Sequence, residues 1–325
     1  MKKFISVALA VALAAALLTG CGKTDTPAQT NEKTSVVATI FPPYDFTRAI
    51  AGDLVAQGKA EITMLLPPAA ESHSFEPTPT DISKIQNCDV FIYVGGESDE
   101  WVNGVLESMD TSGMKIVTLM DCVEVVEEEI TENMEDEEES EEEDGETEEP
   151  EYDEHVWTSP RNAKLIAQKI SDTLCAANAA NADIYKSNTT AYLARLDELN
   201  AKFQDVADNA VRKTIVFGDR FPFRYFADAY ELEYDAAFPG CSTETEASAK
   251  TVAGLIDKIK EEKIPVVFHI ELGNEYMANS IGEQTGAKVR LLHACHNISQ
   301  SDFLAGKTYL DLMTANVETL KEALS

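Results

Sequence analysis

His73, His155, Asp219 and His293 are the side chains whose type and placement promise chemistry. Each falls in a loop or at the end of an expected strand, two in each half of the chain, so a cleft between two domains is where they would meet. Imidazole and carboxylate suit a borderline-soft ion such as Zn2+, and four such groups close a tetrahedral shell. A site built for Mn2+ would normally offer more oxygen ligands. His73 anchors the set. It stands in Glu71-Ser72-His73-Ser74-Phe75-Glu76-Pro77-Thr78-Pro79-Thr80-Asp81, between an apolar run and a proline-stiffened acidic segment. Open α/β sheets place their ligands just past strand ends of this kind. A lone loop histidine is more often solvated or paired with a carboxylate, so the weight rests on convergence with the other three.

The elements that must bring them together read as alternating strands and helices. Apolar runs at 35–40, 60–66, 89–94 and 115–119 read as buried strands, with helices around 44–50, 82–86 and 101–108. Pro42-Pro43 is placed between the first strand and its helix, and Pro67-Pro68 ends the second strand because proline cannot donate to a sheet ladder. Continuous apolar strands separated by helices favour parallel sheets covered on both faces. From 161 to about 211 the spacing is helical, with a break near Asn181 or Asp183 and a long helix beyond it that would act as a stiff spine. The second half repeats the alternation: strands 213–217, 265–270 and 288–292, helices 223–230, 247–260 and 274–285, and a final helix 304–324. The expected fold class is α/β, with two pseudo-symmetric lobes of mainly parallel sheet joined by a rigid helix. The divisions are 1–20 leader, 21–34 tether, 35–180 first lobe, 181–211 linking helix and 212–325 second lobe.

Charge and termini narrow the function classes. The net charge of −32 makes nucleic acid a poor partner and cations a good one. Met1-Lys2-Lys3 followed by an apolar stretch that ends in Leu18-Thr19-Gly20-Cys21 reads as a secretory leader. Its ending resembles the bacterial lipoprotein box, so the expected mature chain begins at a lipid-bearing Cys21 on the outer face of the cytoplasmic membrane. Between 127 and 154, 19 of 28 positions are Asp or Glu and none is Lys or Arg, more than half of the net charge. A run of this composition buries too little apolar area to offset ordering entropy, and a disordered insertion in the first lobe is expected.

On these residues the chain resembles the metal-binding solute receptors of ABC importers, in the zinc-binding lipoprotein branch, from about residue 35 to the C-terminus. The resemblance is carried by Phe41-Pro42-Pro43-Tyr44-Asp45-Phe46, the segment around His73, the acidic insertion leading into His155-Val156-Trp157, the stretch 217–226 and Thr285-Gly286-Ala287-Lys288-Val289. It implies a receptor, not an enzyme, that captures Zn2+ between two lobes and delivers it to a permease driven by a separate ATPase. His73 and His155 match the first two ligands of that family. At the third, where members commonly carry His-Asp-Ala-Phe, this chain has Asp219-Arg220-Phe221-Pro222-Phe223; at the fourth, commonly aspartate, it has His293.

Further expectations come partly from the resemblance and partly from the residues themselves. Glu271 would bond loop amides near the cleft, Trp157 and Phe75 would keep water from the ion, and Arg220 would pair with a carboxylate. His296 would support the site or substitute for His293, and His269 would be a core residue. Cys88 and Cys175 read as buried thiols. For an exported chain a disulfide between Cys241 and Cys295 is expected in preference to a thiolate ligand. The insertion has no histidine, which favours steering of cations over storage. The competing readings are a receptor for Mn2+ or Fe2+ and an exported zinc hydrolase with an open water position. No His-Glu-x-x-His occurs to support the hydrolase.

Overall fold

The structure is a computed structural model that describes residues 33–134, 151–242 and 246–325. Leader, Cys21 and most of the tether lie outside the described residues. In the first half β1 (Thr34–Ala38), β2 (Ala60–Met64), β3 (Val90–Tyr93) and β4 (Lys115–Thr118) form a parallel sheet of order β2-β1-β3-β4. In the second, β5 (Thr214–Arg220), β6 (Glu233–Phe238), β7 (Val266–His269) and β8 (Lys288–Leu291) repeat the arrangement as β6-β5-β7-β8. The registers match: Val36 pairs with Ile62 and Val90, as Val216 pairs with Asp235 and Val267. In each sheet the first strand is central and fully covered, which explains the unbroken apolar runs there.

The helices of the first half are α1 (Phe41–Ala51), α2 (Asp53–Ala56), α3 (Pro79–Gln86) and α4 (Glu100–Glu107). Pro42 and Pro43 lie inside α1, in its first turn, and not ahead of it. Proline is tolerated there because those amides have no intrahelical acceptor. Gly52 ends the helix at φ 54°. α3 opens with a capping box between Thr78 and Asp81. α5 (Pro160–Ala177) and α6 (Ala182–Asp208) follow, separated by a short 3-10 turn at Ala179–Asn181. The 27 residues of α6 span about 40 Å. It packs along α5, α1 and the last helix.

The second half adds α7 (Arg224–Tyr230), α8 (Ala249–Glu262), α9 (Tyr276–Thr285), α10 (Gln300–Leu304) and α11 (Tyr309–Leu324). The expected final helix is thus two, divided at Gly306, φ 72°. One apolar cluster runs through both halves, joining Val36, Val90, Trp157, Phe203, Phe217, Phe268 and Met313. Smaller clusters lie around Leu255 and Ile281 in the second half and around Phe91 and Val102 in the first. A buried carboxylate ties the chain ends together: Asp45 of α1 accepts from the Tyr309 amide at 2.8 Å.

Two sequence expectations are corrected. β6 was not anticipated, because Asp235 interrupts its apolar run. The structure satisfies that buried aspartate from outside the sheet, by Thr131 Oγ1 and Asn133 Nδ2, each at 2.6 Å. Both donors belong to the acidic insertion, whose described ends are ordered. Glu127 bridges antiparallel to Tyr152, Glu128 accepts from the Gly240 amide at 2.6 Å, and Glu129 accepts from Tyr234 Oη at 2.9 Å. These ends are ordered despite their composition because their carboxylates find donors on the second half. Residues 135–150 lie outside the described residues.

Candidate metal centre

His73 lies in the loop that follows β2, and His155 enters the short 3-10 turn Val156–Thr158 ahead of α5. His296 lies in the loop after β8. A ligand nitrogen from each of the three falls within 4.8 Å of the other two. The ring centroids are 5.6 Å apart for His73 and His155, 5.3 Å for His73 and His296, and 4.5 Å for His155 and His296.

Hydrogen bonds fix which nitrogen faces inward. Ser98 Oγ donates to Glu154 and lies 2.8 Å from His73 Nδ1, so His73 donates from Nδ1 and Nε2 is left as acceptor. His155 Nδ1 donates to Asp153 Oδ1 at 3.1 Å, and the His155 amide reaches the same oxygen at 2.7 Å. His296 is placed by its main chain, whose amide donates to Glu271 Oε1 at 2.8 Å. The Nε2 atoms of His155 and His296 are buried with no hydrogen-bond partner. Buried polar atoms are rarely left so, and two orphaned imidazole nitrogens side by side fit a bound cation.

The electrostatics point the same way. Burial, then the neighbouring His296, His155 and Arg220, hold His73 far below the usual imidazole range. Burial and His155 bring His296 down to about 4. Both rings therefore stay neutral and available as ligands. Burial also opposes charging of His155, yet Asp153, Glu154 and Glu128 outweigh it and raise its pKa. Glu271 is pulled down to about 2: burial works against ionisation, but His293 and His296 more than offset it.

Two expected ligands stand outside this group. His293 Nδ1 accepts from the Cys295 amide at 3.0 Å, and its own amide donates to Asn316 Oδ1 at 2.9 Å. The chain turns sharply at Cys295, φ 64°, and that turn brings His296 to the imidazoles in place of His293. Asp219 is buried, and its carboxylate accepts from the Arg220 amide at 2.9 Å and the Ile270 amide at 3.2 Å. Burial raises its pKa. It borders a cavity of about 270 Å³ shared with His73, Glu71 and Arg220, but no atom of it joins the imidazole group. His296 was legible only as a neighbour of His293. Spacing alone cannot show which of two histidines three residues apart a loop turns inward.

The surrounding residues complete the site. Glu271 accepts from the Ala294 and His296 amides at 2.6 and 2.8 Å. Trp157 packs edge-on against His155 and His296, and its Nε1 donates to Ala294 O at 2.8 Å. Phe75 packs edge-on against Trp101. Arg220 pairs with Glu71 at 3.1 Å. His269 ends β7 and lies partly buried, with its Nδ1 3.0 Å from Ile270 O. The expected disulfide is absent: all five described cysteines are free. Cys295 is wholly buried against its own loop, whereas Cys241 sits beside Glu154 and His155.

Residues 36–323 match the family model described as ZnuA, zinc-uptake complex component A, periplasmic. The high-affinity zinc uptake system protein ZnuA of Bacillus subtilis (strain 168) is 30% identical over 311 residues, covering 95% of this chain and 94% of that protein. The zinc-binding lipoprotein AdcA of Streptococcus pneumoniae (strain ATCC BAA-255 / R6) is 29% identical over 323 residues. That alignment takes in 99% of this chain, which spans 61% of the relative's length. Among solved structures, the Zn(II)-bound ZnuA-like domain of Streptococcus pneumoniae AdcA aligns with a TM-score of 0.72 at 26% identity, covering 90% of this chain and 99% of that one.

Proposed function

The chain belongs to the ZnuA family of periplasmic zinc-uptake components, and from that premise we propose that it is a zinc receptor working outside the cytoplasm. It binds one Zn2+ through His73, His155 and His296 and passes the ion to an ABC permease driven by its ATPase. Lipid on Cys21 would hold it to the outer face of the cytoplasmic membrane, as the lipoprotein names of its relatives suggest. Family membership points to a receptor and away from catalysis.

The observation that carries the reading is the pair of buried, partnerless Nε2 atoms on His155 and His296 beside His73. Three imidazoles satisfy zinc's preference for nitrogen and leave its double charge to be balanced by the acidic surroundings. Trp157 screens one side from solvent, and Asp153 and Ser98 hold two rings in the ligating tautomer.

Competition with a chromogenic chelator tests this. One tight Zn2+ per chain is expected, with affinity lost in His155→Ala and in His296→Ala. Retention of tight binding in either variant would overturn the assignment.

A further inference from the structure

The stretch that carries His73 has little structure of its own. The described residues between Met64 and Pro79 contain no helix or strand, and 67–71 are exposed or half-buried. Its ties run to the second half. Asn297 Nδ2 donates to Pro67 O at 2.7 Å and to Ala70 O at 2.8 Å, and Asn297 Oδ1 accepts from the Ile298 amide at 2.8 Å. The Ala69 amide donates to Ile298 O at 2.9 Å. Farther along, the Arg220 guanidinium donates to the two Glu71 oxygens at 3.1 and 3.4 Å. Asn297 and Ile298 are the two residues that follow His296.

We propose that Asn297 is a positioning residue for zinc: it splices the loop of His73 onto the loop of His296, so that two imidazoles from opposite halves meet the ion as one unit. The base of the splice is firm, because Glu271 accepts from the Ala294 and His296 amides and Asn316 Oδ1 accepts from that of His293. Asn297 itself is 1% exposed. Its three bonds fix the orientation of the side-chain amide, since only the nitrogen can donate to two carbonyls. Truncation would strip Pro67 O and Ala70 O of their shared donor. The backbone of Ala69 shows that the seam imposes a shape on the loop. Its φ is 68°, a region that a residue with a Cβ seldom enters and that surrounding contacts must enforce.

Asn297 acts through the main chain on either side of it. His296 is its neighbour in sequence, and Ala70 lies three residues ahead of His73. The rings of His73 and His296 stand 5.3 Å apart, and bonds of about 2.0–2.1 Å from zinc to nitrogen leave a shared ion little tolerance for drift of one loop against the other. Arg220 makes the outer tie: Glu71 Oε1, one of its two acceptors, also accepts from the His73 amide at 3.3 Å. That tie is the weaker one, because the Glu71 side chain is 41% exposed and solvent screens the pair.

This inference rests on the imidazole reading, and a double-mutant cycle on the full chain keeps the two apart. With zinc affinity read by chelator competition, Asn297→Ala should cost about tenfold when His73 is present. In the His73→Ala background, where no ring is left to position, it should cost about twofold or less. An equal loss in both backgrounds would overturn the proposal, because a purely structural role does not depend on His73. An unchanged affinity in Asn297→Ala would overturn it as well. If Asn297→Ala fails to fold, hydrogen exchange of zinc-free wild type decides. The Ala69 and His296 amides should then show protection within about tenfold of each other, as members of one cooperative unit. An Ala69 amide protected less by more than about 100-fold would break the splice. Failure of the imidazole reading has its own signature, a His73→Ala variant with wild-type affinity.

Discussion

His73 and His155, from the first half, have their Nδ1 atoms tied at 2.8 Å to Ser98 and 3.1 Å to Asp153. His296, from the second half, has its Nδ1 3.7 Å from Glu271 and is steered by its main chain instead. The two halves share a strand order but hold their ligands differently. In the first, side-chain hydrogen bonds fix tautomer and ring angle before any ion arrives. In the second, a loop turn sets the position, and the ring is held by packing against His73, His155 and Trp157. The difference teaches that the first half orients its rings through side-chain hydrogen bonds and the second through its main chain and packing.

Removal of a ligand is the strongest way to test that contrast. His155→Ala should cost more than about 100-fold in zinc affinity by chelator competition, beyond the loss typical of an outer-shell partner. Next comes the support of the ring: Asp153→Asn should cost about 10- to 100-fold, whereas Glu271→Gln should fall at the low end of that range. Equal losses would erase the contrast. Asp153→Asn also carries a pH signature. Because Asp153 helps raise the His155 pKa, protons compete with zinc at higher pH in wild type, and affinity falls as pH drops through that raised value. The midpoint should move to lower pH in the variant. Smaller still, His293→Ala should change affinity by about twofold or less. A loss equal to that of His296→Ala would reverse the assignment between these two.

Stability probes the joint between the halves. Burial raises Asp45 to about 6, so the folded chain holds that proton more tightly than the unfolded one. The stability due to this proton is complete below about pH 3.8 and is lost as pH rises through about 6. Relative to Asp45→Asn, wild type should lose up to about 1.4 kcal/mol per pH unit across that window. Urea unfolding of chelator-treated protein at several pH values measures it. The smallest equilibrium effect belongs to the insertion. Deleting residues 135–150 should slow zinc capture at low salt and leave affinity nearly unchanged, because screening limits the field to about 8 Å at physiological salt. A stopped-flow series in salt checks this.

The alternation of apolar runs made both sheets legible, since central parallel strands such as β1, β3 and β5 are covered on both faces. β6 escaped because its buried Asp235 looks like a break, and the donors that satisfy it sit about a hundred residues earlier. His73 and His155 were named from their loops and from the family resemblance, and the structure brings their rings to 5.6 Å of each other. His293 and Asp219 fall outside the imidazole group through a main-chain turn at Cys295 and two backbone amides at Asp219, and neither leaves a trace in composition. The ordered ends of the acidic run were hidden for the same reason, their partners being the distant Tyr234, Arg224 and Gly240 amide.

The apolar cluster that joins Val36, Trp157, Phe217 and Met313 runs uninterrupted from one sheet to the other. Wide clamshell opening would wet that seam at about 25 cal/mol for each Å² of hydrocarbon exposed. The loop from Leu292 to Ile298, buried at every position, belongs to that same seam, so the imidazole it carries is held by the frame itself and not by a separate flap.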